Sequence, residues 1–393
     1  MPPSANGKGA SESAPEGASP IRVAVLGSTG SIGRQTLEVL GAHPDAFRVV
    51  ALAAHRDAVA LGEQARSSRA SVVALTGSEE RLDVPSGTVR ERGDDVLERL
   101  ATRDDVDLVV VGTGGVVSLR PVLAALAAGK VVATANKETL VAGGHLVMPA
   151  ARRLAANRRT AGPSDPLASP LAWLRPIDSE HSAIWQCLVG EAGNAIASLI
   201  LTASGGPFLD EPEDLATVTR EMALRHPTWR MGPKVTVDSA TLANKGLEVI
   251  EARWLYDVPY DAIEVVIHPQ SVVHSAVRFV DGSLKAQLGT PDMRLPIQYA
   301  LTYPQRRTSP AAAPDLAAIG RLDFRTPDTS RFPALRIARD AGIAGPRASA
   351  ALIAADEVAV ARFLDGDLDF PGIPRLLEAA VGRFGAGPGS AEP

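Results

Sequence analysis

The sequence predicts an α/β protein with an N-terminal Rossmann-like dinucleotide-binding domain, a central α+β catalytic domain and a C-terminal helical domain. Three observations predict this class. Apolar runs of strand length alternate with helical stretches as far as Ala135, which is typical of a parallel sheet covered on both faces. A glycine-rich turn, residues 27–33, directly follows the first apolar run. Beyond a linker rich in alanine and proline, helical segments follow one another to the end of the chain.

The length of the chain, 393 residues, is large for a single hydrophobic core and predicts two or three domains. The predicted boundaries are a disordered tail at 1–20, the dinucleotide-binding domain at 21–176, the catalytic domain at 177–302, a linker at 303–329, the helical domain at 330–385 and a disordered tail at 386–393.

The composition argues against several classes of function. A formal net charge of −5 gives no electrostatic reason to expect a nucleic-acid partner, and no run of Lys and Arg suggests a membrane surface. Cys187 is the single cysteine of the sequence, so neither a disulfide framework nor a thiolate metal cluster can form. Residues 1–20 lack the apolar core of a signal peptide, so we expect a cytoplasmic protein.

The first strand is predicted at Ile21–Leu26 and the first helix at Ser31–Leu40, with the glycine turn between them. This order points backbone N–H groups and the positive end of a helix dipole at the place where a dinucleotide pyrophosphate binds. The glycine spacing is G-x-x-G-x-x-G rather than the standard G-x-G-x-x-G, so the strand and helix context carries much of the argument.

The second strand, Phe47–Ala53, ends in His55, Arg56 and Asp57, where the ribose of the cofactor would be recognised. Arg56 favours a 2′-phosphate and therefore NADP. Asp57 alone would have favoured NAD, and a solvated charge pair is the simpler alternative. We favour NADP.

Further strands are predicted at 71–75, 106–111 and 131–135. Gly112–Gly115 and Ala135–Glu138 each follow a strand, so both lie at the carboxyl edge of the sheet, where open α/β sheets bind ligands. Lys137 at this edge is either a surface lysine or a substrate contact, and we favour the contact. Residues 157–176 are rich in proline and serine and predict a connector or surface loop.

Asp178 and Ser179 open a helix that continues to Leu188, and capping of this helix is their ordinary role. Asp178 and Glu180 can also converge on one hard cation at this junction. Oxygen ligands without cysteine favour Mg²⁺ or Mn²⁺ over Zn²⁺. After the next strand, 197–202, the run Ser204–Gly206 can turn successive backbone amides toward an anion.

The stretch 226–255 begins with an irregular segment that contains His226, Trp229, Met231 and Gly232. A short strand is predicted next, because Val235 and Val237 alternate with polar residues, and a helix is predicted to start near Ser239.

Ser239, Asn244 and Lys245 fall near the opening turns of that helix, where a hydroxyl, an amide and an ammonium describe a phosphate site. Glu248, one turn further, indicates a bound cation or an acid–base role. The alternative is an ordinary capped helix with a surface pair between Lys245 and Glu248.

The remaining elements are predicted from strand, turn and helix patterns. They are a strand pair at 264–268 and 271–279 that carries His268 and His274, a hairpin turn at 281–283, a rigid loop at 291–296, and helices at 334–341, 348–364 and 373–384.

Seven motifs recur in one order along the chain: GSTGSIG (27–33), ANKETLV (135–141), IDSEHSAIWQ (177–186), LTASGGPF (201–208), HPTWRMGPKVTVDSATLANKGLEVIEARW (226–254), IHPQSVVHS (267–275) and LGTPDMRLP (288–296). Together they resemble the 1-deoxy-D-xylulose 5-phosphate reductoisomerase family over about residues 21–365. The resemblance implies metal-dependent rearrangement and NADPH-dependent reduction of a ketose phosphate, 1-deoxy-D-xylulose 5-phosphate, to 2-C-methyl-D-erythritol 4-phosphate. It also implies a homodimer.

The resemblance implies a role for each matching residue. The metal ligands are Asp178, Glu180 and Glu248. The catalytic group is Lys137, Ser179, Glu180, His226, Trp229, Met231 and His274, with Trp229 and Met231 on a flap that closes over the substrate and Met293 a lesser member of the pocket. The substrate phosphate is held by Ser204, Ser239, Asn244 and Lys245. The NADPH site is formed by Thr29, Gly30, Ser31, Ile32, His55, Arg56, Asp57, Asn136, Glu138 and Gly232.

The chain departs from the family pattern in four places, one of which is residues 157–176, a stretch that looks longer than usual. Asp57 stands where the family commonly has asparagine, which could weaken selectivity for NADPH. The C-terminal motif N-A-A-N-E reads here Ile353-Ala-Ala-Asp356-Glu357. A glycine- and proline-rich tail stands where the family generally has a further helix, which puts the stability of the helical domain in doubt more than the chemistry.

Two other functions compete with this interpretation. One is a different NADP-linked oxidoreductase of small phosphorylated or semialdehyde substrates, which would not need Asp178 and Glu180 together with a distant Glu248. The other is a catalytically silent relative that serves as a nucleotide-binding sensor or scaffold, which would have no use for these acids or Lys137. The sequence leaves open the choice between Mg²⁺ and Mn²⁺, and between a retro-aldol and a ketol-shift route.

Overall fold

The computed structural model describes residues 19–78, 80–159 and 165–386, and it confirms the predicted fold class. The two predicted tails lie outside these residues except at positions 19, 20 and 386. No helix in the described ranges is long and apolar enough to cross a membrane.

Seven strands form the first sheet in the part of the chain that the structure describes: β1 (Ile21–Leu26), β2 (Phe47–Ala54), β3 (Val72–Leu75), β4 (Val89–Glu91), β5 (Leu108–Val111), β6 (Val131–Thr134) and β7 (Leu174–Pro176). All the pairings are parallel, in the order β4-β3-β2-β1-β5-β6-β7. The helices between them are α1 (Ser31–Ala42), α2 (Ala58–Ser68), α3 (Val96–Thr102), α4 (Leu119–Ala127) and α5 (Lys137–Arg159).

Both faces of this sheet are buried, as its unbroken apolar strands require. Val23 and Val25 of β1 join one hydrophobic cluster, while Ala24 and Leu26, which point the other way, join a second cluster. Because the strands are parallel, the chain leaves β1, β5, β6 and β7 at one common edge.

A second sheet combines β8 (Ile196–Ala203), β9 (Ile263–Ile267), β10 (Val273–Phe279) and β11 (Leu284–Leu288) in the order β11-β10-β8-β9. The β8–β9 pair is parallel and the other pairs are antiparallel. The helices of this half of the chain are α6 (Ser179–Leu188), α7 (Arg220–Ala223), α8 (Pro233–Thr241), α9 (Ala243–Tyr256), α10 (Arg294–Thr302), α11 (Leu316–Ile319), α12 (Ala334–Ala344), α13 (Pro346–Asp365) and α14 (Gly372–Phe384).

The C-terminal helices pack directly on the elements that carry the polar motifs. Helix α12 lies against α9, and α13 lies against α5 and α14. Leu247 and Ile250 of α9 share a buried cluster with Ala338 of α12 and Leu352 of α13. The helical domain therefore supports α9 from behind.

The predicted strand around Val235 and Val237 is wrong, because this segment is helix α8. Alternating valines imitate a strand, but Pro233 occupies the first helical turn, where its fixed φ and missing N–H suit a helix start. The helix predicted from Ser239 is also displaced. Leu242, with φ +60°, ends α8 and separates it from α9.

Three other local predictions are corrected. The strands at 264–268 and 271–279 do not pair with each other, because β8 lies between β9 and β10. The loop at 291–296 ends early, since α10 starts at Arg294 and its first turn accommodates Pro296. The connector at 157–176 contains β7, which pairs with β6. Short strand β4 was not predicted either.

The glycine turn after β1 is in contact with its neighbours on two sides. Gly27 has φ +83°, and a Cβ there would lie 2.7 Å from the backbone carbon of Gly112. A Cβ on Gly33 would lie 2.3 Å from the carbonyl oxygen of Gly27. Both glycines are therefore required by close backbone approach rather than by flexibility.

Gly33→Ala tests this turn. Because the methyl group would overlap backbone atoms that cannot rotate away, we expect the free energy of unfolding to fall by roughly 1–3 kcal/mol in urea titrations. Gly41→Ala, in the same helix with open space around its Cβ position, is the matched control and should be neutral or stabilising by roughly 0.5–1 kcal/mol. Equal destabilisation by both variants would contradict the packing argument.

Candidate active site

The predicted metal, catalytic and substrate-binding residues, except His226, line one cavity of about 360 Å³ at the carboxyl edge of the first sheet. The cavity is bounded by the loops after β1, β5, β6 and β7, by the loop after β8, by residues 229–232, and by the facing ends of α8 and α9. Such an edge is where an open parallel sheet binds ligands.

Three carboxylates meet at one end of this cavity. One oxygen atom from each of Asp178, Glu180 and Glu248 lies within 4.8 Å of the others. Asp178 follows β7 and Glu180 lies in the first turn of α6, whereas Glu248 comes from α9. Glu248 is completely buried. The structure therefore brings together three acids that are up to 70 residues apart in sequence (248 minus 178).

Two lysines lie among these acids. The Lys137 Nζ contacts Asp178 and lies 3.5 Å from Glu248. The Lys245 Nζ lies 2.7 Å from Glu180 and also contacts Glu248. Because like charges repel strongly when buried, the two ammonium groups are what allows three carboxylates to share this space.

The pKa values of the acids reflect this balance. Burial and the charge of Glu180 raise the pKa of Glu248 to about 7. Burial alone would also raise the pKa of Glu180, but the charges of Lys245 and Lys137 outweigh it and hold that pKa below its usual value. Burial would lower the pKa of Lys137, yet Asp178 and the neighbouring acids hold it well above its ordinary value.

The donor set fits a hard divalent cation. All three ligand groups are carboxylate oxygens, which suit Mg²⁺ and Mn²⁺ and offer none of the sulfur that would select Zn²⁺. A cation at this point would compete with the two lysines for the same oxygens.

A buried acid–histidine pair lies next to Lys137. His181 and Glu251 are both buried, with the His181 Nε2 3.3 Å from a Glu251 oxygen, and that oxygen is 3.9 Å from the Lys137 Nζ. Burial alone would lower the pKa of His181, but the charge of Glu251 raises it above its ordinary value. Sequence reasoning missed this pair. The spacing of Glu248 and Glu251, three apart on one helix, was the available signal.

The predicted phosphate site lies at the start of α9. Asn244 and Lys245 occupy its first turn, and Ser239 faces the same cavity from the end of α8. The Asn244 Nδ2 donates to Glu248 at 2.6 Å, whereas the Asn244 Oδ1 is buried and accepts no hydrogen bond from the described residues. The predicted helix N-terminus therefore exists, although it starts at Ala243 rather than near Ser239.

The loop after β8 approaches the end of α8 closely. Gly206 has φ +68°, and a Cβ there would lie 2.8 Å from the Ser239 carbonyl oxygen. Ser204 accepts a hydrogen bond from the Gly206 N–H at 3.2 Å. This hydrogen bond orients the Ser204 hydroxyl, which lines the cavity.

His226 connects Ser204 to the irregular segment, residues 226–232, which we call the flap. Its Nδ1 accepts the N–H groups of Thr228 and Trp229 at 3.1 and 2.9 Å, so the Nε2 carries the proton and lies 3.0 Å from the Ser204 Oγ. Burial lowers the pKa of His226 to about 4, so the ring is neutral near pH 7. His226 itself does not line the cavity.

Trp229, Met231 and Gly232 of the flap do line the cavity. The Trp229 ring lies 6.1 Å, centroid to centroid, from the ring of His274, which reaches the cavity from β10. The flap has no regular secondary structure and rests on the cavity through these side chains.

The predicted cofactor residues divide into two groups. Ser31, Ile32, Glu138 and Gly232 line the cavity, together with Gly112–Gly114. The others do not reach it; they are Thr29, Gly30, His55, Arg56, Asp57 and Asn136. His55–Asp57 lie exposed after β2, beyond the cavity.

Two predicted cofactor side chains are engaged with the backbone. Asp57 accepts the Ala60 N–H at 2.9 Å and caps α2, which explains a carboxylate at this position without a ribose. Asn136 donates to the carbonyl oxygens of Thr113 and Gly115, both at 2.8 Å. Asn136 therefore acts on the loop after β5 rather than on the cavity itself.

Arg230, Lys234 and Asp238 also line the cavity and were not predicted. Lys234 and Asp238 are four residues apart and form an ion pair along α8. The spacing was visible in the sequence, but it carries meaning only if the segment is a helix, and the predicted strand concealed it.

Known proteins match this chain over the stretches that carry the site residues. Three family models match the chain: 1-deoxy-D-xylulose 5-phosphate reductoisomerase at residues 23–144, its C-terminal domain at 174–256, and the DXP reductoisomerase C-terminal domain at 288–391. The 1-deoxy-D-xylulose 5-phosphate reductoisomerase of Pelotomaculum thermopropionicum is 50% identical over 366 residues, which cover 91% of this chain and 90% of the relative.

Solved structures agree. The 1-deoxy-D-xylulose 5-phosphate reductoisomerase from Zymomonas mobilis in complex with NADPH has a TM-score of 0.83 at 37% identity, covering 95% of this chain and 94% of that chain. A DOX-P reductoisomerase in complex with NADPH, fosmidomycin and magnesium has a TM-score of 0.82 at 37% identity, covering 92% and 89%.

Glu248→Gln tests the cation site. Because a buried carboxylate ligand becomes neutral while its shape is kept, we expect Mg²⁺ affinity measured by calorimetry to fall at least about 100-fold, since even outer contacts of a metal site are worth about 10–100-fold. Glu264→Gln, which alters a partly exposed surface ion pair, is the control and should leave affinity unchanged. Unaltered affinity in Glu248→Gln would remove this residue from the site.

Proposed function

The chain belongs to the 1-deoxy-D-xylulose 5-phosphate reductoisomerase family, and we propose that its cavity carries out the reaction of that family. The protein is an NADPH-dependent oxidoreductase that converts 1-deoxy-D-xylulose 5-phosphate to 2-C-methyl-D-erythritol 4-phosphate with a divalent metal, a step toward isoprenoid precursors. The single observation that carries the assignment to these residues is the meeting of Asp178, Glu180 and Glu248 inside the cavity that the nucleotide-binding edge also lines.

The two cofactors supply what side chains cannot. Asp178, Glu180 and Glu248 would hold a divalent cation, which would supply a Lewis acid to polarise a carbonyl group and stabilise an adjacent oxyanion. NADPH supplies the hydride. The chain's own residues bind, orient and enclose the substrate around them.

We propose that Lys137 and Ser179 orient the carbonyl and hydroxyl end of the substrate. Lys137 follows β6 and its ammonium already lies at the carboxylate cluster. The Ser179 hydroxyl donates to Glu180 at 2.5 Å, so its oxygen has a fixed direction at the cavity wall. The Lys137 ammonium can donate to substrate oxygens as negative charge develops, and the Ser179 oxygen, whose proton is used on Glu180, can accept a hydrogen bond from a substrate hydroxyl.

We propose that the substrate phosphate binds between Ser204, Ser239, Asn244 and Lys245. The first turn of α9 contributes its N–H groups and dipole to the phosphate, and the free Asn244 Oδ1 can accept a hydrogen bond from a substrate hydroxyl. Binding energy from this remote group is available to hold the reacting carbons in place.

The flap would close over this substrate. Trp229 and Met231 present apolar surface to the cavity, and neutral His226 holds the start of the flap to Ser204. Closure would exclude water between the rearrangement of the carbon skeleton and its reduction. His274, in contact range of the Trp229 ring, would support the closed position.

We also propose two cofactor contacts and a second usable metal. Arg56, exposed after β2, would contact the 2′-phosphate of NADPH, and Gly232 would contact the cofactor from the flap. Mn²⁺ would replace Mg²⁺, because the all-oxygen donor set suits both. We propose the cytoplasm as the compartment. Burial raises the pKa of the lone Cys187 thiol to about 11, so the thiol stays protonated and unreactive at neutral pH.

A homodimer is proposed as the assembly. Strand β11 pairs with β10 on one side and stands at the end of the second sheet as described. Leu284, at its start, is 57% exposed, and Val280, in the preceding turn, is 70% exposed. A sheet edge with apolar side chains is a natural site for a second copy. Sedimentation at micromolar concentration tests this assembly, and a monomer would contradict it.

The function is tested by incubating the purified protein with NADPH, Mg²⁺ and 1-deoxy-D-xylulose 5-phosphate. We expect NADPH oxidation that stops when the metal is chelated, and a product with the mass of 2-C-methyl-D-erythritol 4-phosphate. NADPH oxidation that needs no metal and that occurs with a semialdehyde substrate would instead indicate a different NADP-linked oxidoreductase. NADPH binding without turnover would indicate a silent relative.

Lys245→Gln tests the phosphate site. Because a buried charged contact is worth about 2–5 kcal/mol, we expect the KM for 1-deoxy-D-xylulose 5-phosphate to rise roughly 30-fold or more, while the Kd of NADPH changes little. Lys285→Gln removes an exposed lysine and should leave both constants unchanged. If Lys245→Gln lowers the affinity for metal but leaves the KM for 1-deoxy-D-xylulose 5-phosphate unchanged, Lys245 acts on the carboxylates and does not bind the phosphate.

A further inference from the structure

A second buried charge cluster lies at the base of the flap. Lys234, two residues beyond the flap, points its Nζ at Asp238 of its own helix α8 at 2.8 Å and at Asp356 of α13 at 2.5 Å. Glu138, at the start of α5, lies 3.7 Å from the same Nζ. One ammonium group therefore joins three helices at the point where the flap ends.

The two aspartates are deeply buried. Asp238 is 2% exposed and Asp356 is 1% exposed. Each uses one oxygen on Lys234, and the Oδ1 of each is buried with no hydrogen-bond partner among the described residues. The two aspartates share the Lys234 ammonium, so removing Asp356 leaves Lys234 paired with Asp238 of its own helix and breaks the link to α13. The cluster thus fixes Lys234 much more firmly than a surface ion pair would.

The flap itself is held differently at its two ends. At its start, His226 accepts N–H groups of the flap and contacts Ser204. At its end, Gly232 is exposed, and a Cβ there would meet open space. Thr236 donates its hydroxyl to the Gly232 carbonyl at 2.9 Å, which ties that glycine to the first turn of α8. The position of the flap's end therefore follows the position of α8's first turn.

We propose that Asp356, acting through Lys234, is a positioning residue that fixes the end of the flap over the cavity and so couples the C-terminal helical domain to closure. This inference rests on the proposed function for its kinetic consequence. Its structural consequence, the order of the flap, does not depend on turnover.

The charges around this cluster also give it a pH dependence. The groups that face it are Lys234 and Asp238 from α8, Glu138 from α5, and Asp356 and Glu357 from α13. Burial, and then the charge of Asp356, raises the pKa of Asp238 to about 8. The folded protein therefore keeps a proton here that the unfolded chain releases near the ordinary pKa of 3.8. The stability associated with that proton is lost as the pH rises toward 8.

The experiment compares the full-length wild type with Asp356→Ala, Asp356→Asn and the control Asp365→Asn, which alters an exposed acid at the end of the same helix. Hydrogen–deuterium exchange of the peptide over residues 226–233 reports flap order without substrate. Steady-state kinetics with NADPH, Mg²⁺ and 1-deoxy-D-xylulose 5-phosphate report closure. Calorimetric melting temperatures are recorded at pH 5.5 and pH 8.

We expect Asp356→Ala to speed exchange of the flap peptide and to lower kcat roughly 10- to 100-fold, since displacement of a group far from the chemistry can cost on the order of 100-fold. The KM for NADPH should rise much less than kcat falls, because the loop after β1 is untouched and only the contacts of Gly232 and Glu138 with the cofactor are disturbed. Asp356→Asn keeps an oxygen for Lys234 and should restore both flap order and kcat at pH 7. Its melting temperature should fall less than that of the wild type between pH 5.5 and pH 8.

Unchanged flap exchange in Asp356→Ala would overturn the proposal, and so would an equal loss of kcat in Asp356→Ala and Asp356→Asn. A wild type without turnover would overturn the proposed function instead, while the exchange measurements would still decide the positioning role.

Discussion

The interaction on which the site depends is the burial of three carboxylates against two ammonium groups. Asp178, Glu180 and Glu248 could not share this space alone, because the repulsion between buried like charges exceeds what packing supplies. Lys137 and Lys245 balance most of that charge. When all five groups are ionised, the cluster has a net charge of −1. This negative charge attracts a divalent cation, which can replace the two ammonium groups as the partner of the carboxylate oxygens.

The fold can be understood as a means of bringing these five groups together. Parallel strands β6 and β7 end side by side, so Lys137 and Asp178 leave the first sheet as neighbours. Helix α9, supported from behind by α12, carries Lys245 and Glu248 to the same point. The flap differs from this rigid frame, since it is irregular and is held at both ends by polar contacts. A site framed by helices and strands, with one irregular segment beside it, suits the proposed closure after the substrate has entered.

Much of this arrangement could be predicted from the sequence, because it depends on local patterns. The glycine turn after Leu26, the apolar strands and the acid–serine–acid run at Asp178–Glu180 each have a recognisable signature. What could not be predicted depends on long-range packing. Val235 and Val237 imitate a strand in the sequence, and only the helix α8 and its packing against α13 make Lys234 and Asp238 a pair that meets Asp356. Strand β7 was concealed by a proline-rich context, and Asp57 proved to be a helix cap.

The most direct test of the central claim is a crystal structure with Mn²⁺, located by its anomalous scattering. The account predicts one peak within coordination distance of Asp178, Glu180 and Glu248 together, with the ammonium groups of Lys137 and Lys245 moved away from the oxygens they contact here. A peak bound instead by Asp178, His181 and Glu251, or lysines that keep their present contacts while the metal binds elsewhere, would contradict it.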